Sequence, residues 1–284
     1  MNGASLPVLA VDIPSGIDGR TGKAPGAYIK ATMTVTFHLP KHGLLLTQKE
    51  VGQPITWDIG LESSLMPARS DPEDMLCYAE GKDLPNLLPS RPAKSNKATF
   101  GRVLMLVGSR GMMGAAAMAA LACLQAGAGL TTIVCDKELM PIAQTLVPNA
   151  TCATFDEAKT LPYDVLVVGC GLKQSEENWQ RILALFDADK PSVWDADALN
   201  MLSTRPLVLG KHAVMTPHPG EAARLLNTSV QQVVNDAVSA AKALHQRYGC
   251  SVALKNATTV LFDGQALALN TAGTPALSKG GSGD

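Results

Sequence analysis

From Arg102 onward the sequence alternates short apolar runs with helix-patterned stretches, and few architectures accept that order. Arg102 to Val107 reads as a buried strand, Gly108-Ser109-Arg110-Gly111 as a turn, Gly114 to Ala126 as an alanine-rich helix and Gly129 to Val134 as the next strand. Together they make a βαβ unit. Further strands are predicted at Asp164 to Val168, Ser192 to Asp195, Val214 to Thr216, Ser251 to Leu254 and Thr259 to Phe262, with helices at Ser175 to Phe186, Gly220 to Leu226 and Val230 to Tyr248. Alternation of this kind implies an α/β fold with a mostly parallel sheet covered on both faces, which binds ligands at the C-terminal ends of its strands. Aromatic residues make up only 4% of the chain, and the small side chains that dominate instead let helices sit close on a sheet.

Residues 1–69 have a different texture. Two apolar β-type runs, Pro7 to Ile13 and Ala31 to His38, flank the turn-rich Ser15-Gly16-Ile17-Asp18-Gly19. Residues 70–95 are polar and proline-punctuated and read as an interdomain linker, which leaves 96–284 as the second domain. With 24 basic and 25 acidic residues the formal net charge is -1, so no electrostatic footprint for nucleic acid or an anionic membrane is present. The six cysteines are scattered without zinc-ligand spacing, as expected of small core residues in a reduced, cytoplasmic protein. No apolar run reaches the roughly 18 residues that span a bilayer.

Every polar cluster worth naming follows a predicted strand: Gly108-Ser109, Gly169-Cys170-Gly171, Asp195-Ala196-Asp197, Thr216 to Glu221, and Lys255-Asn256-Ala257-Thr258-Thr259. His218 lies between two prolines on a stiff backbone, where it either hydrogen-bonds a ligand or caps the helix starting near Gly220. Lys255 pairs with a phosphate or is a solvated strand-end lysine. Asp195 and Asp197 form a carboxylate pair suited to Mg²⁺ or a hydroxyl, with Asp197 as an N-cap for Ala198-Leu199-Asn200 the structural alternative. Gly114 to Ala117 allow close approach of a ligand, or simply tight packing. The final Gly280-Gly281-Ser282-Gly283-Asp284 can aim backbone N–H groups at a phosphate beside a carboxylate base.

In this order and spacing, residues 96–284 resemble the ADP/ATP-dependent NAD(P)H-hydrate dehydratases of the ribokinase-like superfamily. The segments that carry the resemblance are Phe100 to Val103, Gly108 to Met112, Gly114 to Ala116, Ala126 to Leu130, Asp195 to Asn200, Thr216 to Glu221 and Gly280 to Asp284. Residues 1–69 resemble the final part of the NAD(P)H-hydrate epimerase domain, through Val11 to Asp18 and through Val35-Thr36-Phe37 followed by Lys41-His42-Gly43-Leu44. The resemblance implies a ribokinase-like three-layer domain preceded by the remnant of a Rossmann-like epimerase domain.

It also implies roles. Asp284 would deprotonate the hydroxyl of the hydrated nicotinamide ring, which attacks the terminal phosphate of ADP or ATP. Backbone amides of Gly281, Ser282 and Gly283 would stabilise the transferred group. Ala115, Gly171 and His218 would contact hydrated NADH or NADPH, while Lys255, Asn256, Ala257, Thr258, Thr259 and Gly283 would hold the adenine nucleotide with its Mg²⁺. In the epimerase part Asp12 would contact substrate and Ser15 would bind K⁺. A homo-oligomer is expected.

Several features depart from the family. Asn96-Lys97-Ala98 stands where the dehydratases commonly have His-Lys-Gly, and Asn256 replaces a glycine whose positive φ asparagine tolerates. The epimerase part is expected to be incomplete and inactive, and the dehydratase to be cut at Asp284 with reduced activity. A ribokinase-like small-molecule kinase and a nucleotide-binding fragment without turnover are the competing readings.

Overall fold

A computed structural model of the chain describes residues 1–62, 76–78, 90–277 and 279–283. Its contacts divide it into two compact units, Met1–Tyr78 and Ala79–Asp284. Most of the expected linker, like Asp284 itself, lies outside the described residues.

The first unit is built on three parallel strands, β1 (Leu9–Val11), β2 (Met33–Phe37) and β3 (Gln53–Trp57), in that spatial order. The two predicted apolar runs contain β1 and β2. The sequence did not mark β3, whose Pro54 is a poor strand residue tolerated at an edge. One face buries Ala10, Thr34 and Thr36, and a small core of Ile17, Leu44 and Val51 closes nearby. Buried Thr34 donates its hydroxyl to the Val51 carbonyl at 2.6 Å, so its burial leaves no polar group unpaired. A short strand, β4 (Leu76–Tyr78), follows.

In the second unit the strands are β5 (Arg102–Leu106), β6 (Leu130–Val134), β7 (Thr151–Ala153), β8 (Val165–Val168), β9 (Ser192–Trp194), β10 (Ala213–Met215), β11 (Ser251–Leu254), β12 (Thr259–Phe262) and β13 (Leu267–Asn270). They lie in the order β13-β12-β11-β10-β9-β8-β5-β6-β7. Pairing is parallel from β11 to β7 and antiparallel for β11–β12 and β12–β13, giving the mostly parallel sheet expected. The chain runs outward through β5, β6 and β7, then returns to β8 on the other side of β5. The order therefore reverses between β5 and β8, and at such a point the flanking loops diverge and leave a crevice.

Both faces of this sheet are buried, which is why β5 reads as a continuous apolar run rather than an alternating one. Val103, Met105 and Val107 pack with Ala116 and Ala120 of the helix Met113–Gln125 and with Ala143 of the helix Met140–Leu146. Leu104 and Leu106 are as fully buried on the other side. On β9, the buried Trp194 ring meets Trp179 and Phe186 edge to face at 6.3 and 5.2 Å, locking down the helix Glu176–Leu185.

The predicted helix Val230 to Tyr248 is instead two, Val230–Asn235 and Ala237–Tyr248. Asp236 leaves helical geometry at φ -148° and ψ 70°, and its side chain accepts the Ser239 N–H at 3.1 Å, so an aspartate inside a helical pattern acts as a second N-cap. Strands β7 and β13 carry little local signal, with one β-branched residue in Thr151–Ala153 and none in Leu267–Asn270; cross-strand pairing makes them strands. Cys250 is buried, and burial pushes its thiol up to about 12, so it is an inert core residue. Among the described residues no helix is long and apolar enough to cross a membrane.

At the opposite end of the sheet, Asp164 accepts from Arg102 three times: from its backbone N–H at 2.8 Å, Nε at 3.0 Å and Nη2 at 2.8 Å. The Arg102 side chain, then its backbone N–H, hold the Asp164 carboxyl down at about 2. The folded value lies below the unfolded one, so the stabilisation is complete above the ordinary value of 3.8 and is lost as pH falls through about 2. Asp164→Asn is expected to lower the denaturant midpoint at neutral pH, with the gap to the parent narrowing below pH 4. A gap that stays constant down to pH 2 would assign the loss to packing.

Candidate active site

Backbone hydrogen bonds continue past the C-terminal ends of the central strands and set the loops in register. Gly108 N–H donates to Cys170 O at 2.8 Å, Gly169 N–H to Leu106 O at 3.2 Å, Asp195 N–H to Val168 O at 3.1 Å, Thr216 N–H to Trp194 O at 3.0 Å and Lys255 N–H to Pro217 O at 2.8 Å. Clusters separated by up to half the sequence thus share one edge of one sheet.

Lys255 is not a solvated lysine. Its ammonium donates to both carboxylate oxygens of Asp195, at 2.8 and 3.0 Å, and the Asp195 side chain is 8% exposed against 29% for Lys255. Burial of the carboxylate is tolerable because the ion pair is supplemented by the Ala196 N–H, which donates to Asp195 Oδ1 at 2.8 Å. Ala196 adopts φ 48°, a left-handed kink that an alanine takes only under constraint. Asp195, and not Asp197, is the N-cap of the helix Ala196–Leu202. Asp197 accepts the Lys173 N–H at 2.8 Å and Gln174 Nε2 at 3.2 Å, tying down the loop after β8. The two carboxylates therefore have different partners, Lys255 for Asp195 and the loop after β8 for Asp197. Among the described residues no group of three or more His, Cys, Asp or Glu is placed to hold a metal ion.

The terminal glycine loop reaches this ion pair. Gly281 has φ 81°, and a Cβ built on Gly283 would lie 3.3 Å from Lys255 Nζ. The cation thus stands between the Asp195 carboxylate and the loop that carries Gly283. Asp284 follows directly but lies outside the described residues. Thr258 is buried, whereas Asn256 and Ala257 are exposed in the hairpin loop joining β11 to β12. The tolerance of Asn256 for positive φ is not used: it is absent from the residues with positive φ, and its side chain accepts the Ala257 N–H at 2.9 Å.

His218 caps the helix Pro219–Leu226, as one of its two readings required. Its Nδ1 accepts the N–H groups of Gly220 at 3.0 Å and Glu221 at 3.4 Å, which places the ring proton on Nε2, 3.3 Å from Glu221 Oε1. Glu221 Oε2 in turn accepts the His218 backbone N–H at 2.9 Å, closing a capping box. Glu221 is almost wholly buried; burial pushes its carboxyl up, opposed by the His218 N–H and charge, and the nearby Asp195 charge adds to the rise. The His218 side chain itself is half exposed, so one ring serves the cap and still faces outward. The Asp195–Lys255 pair and the buried Glu221 were not legible as partners: the sequence separates them, and only the sheet edge joins them.

Between β5 and β8 the backbone is crowded. Gly171, at φ 61°, lies so close to the start of the helix Met113–Gln125 that a Cβ would meet Met112 O at 2.9 Å and Ala115 Cβ at 3.0 Å. Ser109 Oγ donates to Gly171 O at 2.8 Å. Gly108, Ser109, Ala115 and Gly171 therefore form one surface beside the ion pair's strand.

In the first unit, Asp12 sits at φ 65° with its Oδ1 accepting Lys41 Nζ at 2.6 Å, Thr36 Oγ1 at 3.2 Å and the Phe37 N–H at 3.2 Å. The Lys41 ammonium, first among these partners, lowers the Asp12 carboxyl below its ordinary value. The two segments singled out there, at Asp12 and at Thr36 to Lys41, thus meet on one carboxylate. Ser15 is exposed, and its carbonyl accepts the Ile29 N–H at 2.8 Å.

The sequence pattern of the NAD(P)H-hydrate dehydratase family matches residues 103–284, and that of the YjeF-related protein N-terminus matches residues 1–43. The bifunctional NAD(P)H-hydrate repair enzyme Nnr of Coxiella burnetii is 37% identical over 292 aligned positions, which take in 100% of this chain and 59% of that protein. Its Escherichia coli counterpart is 37% identical, with 100% and 55% covered. The chain thus spans little more than half the length of these curated relatives. Among solved structures, the ADP/ATP-dependent NAD(P)H-hydrate dehydratase of Bacillus subtilis, co-crystallised with ATP/Mg²⁺, superposes with a TM-score of 0.62 at 31% identity over 68% of this chain and 72% of that one. A ribokinase-like superfamily protein of Enterococcus faecalis gives 0.66 at 26% identity, covering 73% and 76%.

Proposed function

The chain belongs to the NAD(P)H-hydrate dehydratase family, and from that premise we propose that residues 96–284 dehydrate hydrated NADH and NADPH at the expense of ADP or ATP. The observation that carries this reading is the meeting of the Gly281–Gly283 loop with the Lys255–Asp195 pair at the C-terminal edge of a parallel sheet. In this reading an anion beside Lys255 is held by its ammonium together with N–H groups of the glycine loop, the arrangement phosphoryl transfer needs.

Asp284 takes the proton of the ring hydroxyl, whose oxygen attacks the terminal phosphorus; the phosphoanhydride bond breaks and the shortened nucleotide leaves. The phosphorylated ring then expels inorganic phosphate, a far better leaving group than hydroxide. A proton departs from the adjacent carbon, and the ring double bond is restored. His218, Gly171 and Ala115 line the route for the dinucleotide, and Lys255 to Thr259 with Gly283 that for the nucleotide. Mg²⁺ would arrive with the nucleotide phosphates, because Asp195 is already engaged by Lys255. Residues 1–69 correspond in this reading to part of an epimerase, with Asp12 toward substrate and Ser15 offering one oxygen to K⁺. The protein is proposed to act in the cytoplasm, as a homo-oligomer.

The test is recovery of nicotinamide absorbance from hydrated NADH, with ADP or ATP, and phosphate release in equal amount. Phosphorylation of a stable alcohol instead would establish the kinase reading, and nucleotide binding with no turnover the fragment reading. Lys255→Met is expected to weaken nucleotide binding about tenfold or more, and to cost about 3 kcal/mol of stability because it strands the buried Asp195 charge. Isothermal titration and chemical denaturation measure the two effects; unchanged nucleotide affinity would remove Lys255 from the site.

A further inference from the structure

A histidine is an unusual helix cap. The common capping side chains, Ser, Thr, Asp and Asn, supply an acceptor and little else, whereas the His218 ring carries a second nitrogen that the cap does not use. The surroundings of that nitrogen are fixed. Nδ1 accepts the Gly220 and Glu221 N–H groups at 3.0 and 3.4 Å, so the ring proton sits on Nε2, and Nε2 lies 3.3 Å from Glu221 Oε1. The ring is seated against Gly220, where an added Cβ would stand 2.8 Å from its Cε1 and 3.1 Å from Nδ1. The other Glu221 oxygen takes the His218 backbone N–H at 2.9 Å, and only 5% of the Glu221 side chain is exposed, so the carboxylate is held in place. The His218 side chain, by contrast, is 52% exposed.

We propose that Glu221 is a positioning residue: it holds His218 in the Nε2–H tautomer, so that the exposed ring meets hydrated NADH or NADPH as a hydrogen-bond donor. The inference rests on the dehydratase reading, in which His218 lines the dinucleotide route, and adds the residue that prepares it. Moving the ring proton to Nδ1 would set that donor against two backbone donors and leave a lone pair on Nε2 facing a carboxylate. Cap and carboxylate therefore select the same tautomer. At 3.3 Å the approach of Nε2 to Oε1 is also longer than a charge-assisted hydrogen bond of about 2.7 to 2.9 Å, so Glu221 orients the N–H without consuming it. A ligand acceptor can then take that N–H while Nδ1 stays on the cap.

The experiment separates the capping box from the ring. Glutamine serves this position of a capping box as glutamate does, so Glu221→Gln keeps an acceptor for the His218 backbone N–H and the helix start with it. Its amide nitrogen then faces Nε2–H, donor against donor. KM for hydrated NADH is expected to rise about tenfold with kcat within about threefold, and nitrogen-15 spectra of the histidine rings should show His218 leaving the Nε2–H form. Gly220→Ala crowds the same ring while leaving Glu221 in place, and should raise KM in the same direction. His218→Asn keeps a good cap, removes the ring and identifies its signal among the five histidines. In that background Glu221→Gln should change KM no further, because the effect passes through the ring. A KM rise as large without the ring as with it would make Glu221 structural and overturn the proposal, as would a Glu221→Gln variant with unchanged KM or an unchanged His218 tautomer; each leaves the dehydratase reading in place. A parent chain that does not dehydrate hydrated NADH overturns both.

Discussion

Asp284→Asn is expected to lower the rate of nucleotide-dependent recovery of NADH from its hydrate by about 10² to 10⁴, while nucleotide affinity stays within a few-fold of the parent. Asparagine keeps the shape of the side chain and its acceptor oxygen but cannot take a proton. The ring hydroxyl then has to attack phosphorus without a base. Nucleotide contacts survive because Gly283 and Lys255, which stand together, are untouched by the change. Single-turnover kinetics at saturating nucleotide isolate the chemical step, and titration with ADP supplies the affinity. A variant that keeps near-parental turnover removes Asp284 from the mechanism; one that loses turnover and nucleotide binding together makes it a binding residue.

Gly169→Ala is expected to be the most damaging small substitution at the site. Gly169 directly follows β8 at φ 118°, and an added Cβ would lie 1.9 Å from Asp195 O, 2.8 Å from Ala198 Cβ and 2.9 Å from Ala198 N. Two of those three neighbours are backbone, so relief requires β8 and β9 to move apart at the residue that positions Lys255. A loss of about 3 kcal/mol or more follows, equivalent to a fall in Tm of about 6 to 12 °C for a unit of this size. Nucleotide affinity should fall with it. Gly111→Ala provides the control: its φ is 89° but no atom lies within 4 Å of the added Cβ, so it bears conformational strain alone, about 1 to 2 kcal/mol. Equal losses from the two substitutions would show that the clash at Asp195 relaxes and that the ion pair does not depend on this close approach.

The strands and helices that were legible are those whose local pattern and tertiary role agree. Arg102 to Val107 is apolar throughout and becomes a strand buried on both faces; the alanine-rich stretch after Gly114 becomes the helix packed on it. The helix at Val230 failed as a single element because Asp236 had a better use as a cap than as a helical residue. At the site, residue types and their positions after strands were legible, but their partners were not. His218 had two readings, and only the geometry of Gly220 and Glu221 around Nδ1 assigned it to the cap. The place of Asp197 before Ala198 allows it to be the cap, yet with the left-handed turn at Ala196 that task falls to Asp195.

The sequence by itself determined the α/β order of elements, the placement of polar clusters at strand ends and the family to which they belong, because these depend on local periodicity and on motif spacing along one chain. Only the tertiary structure decided which charges meet: Lys255 with Asp195, Gly283 with Lys255, Arg181 with Asp136. The reason is strand order. Sheet neighbours are set by how β8 returns beside β5 and how β9 to β11 stack outward from it, and that order is fixed by burying both faces of the whole sheet at once. No local window of sequence contains that constraint.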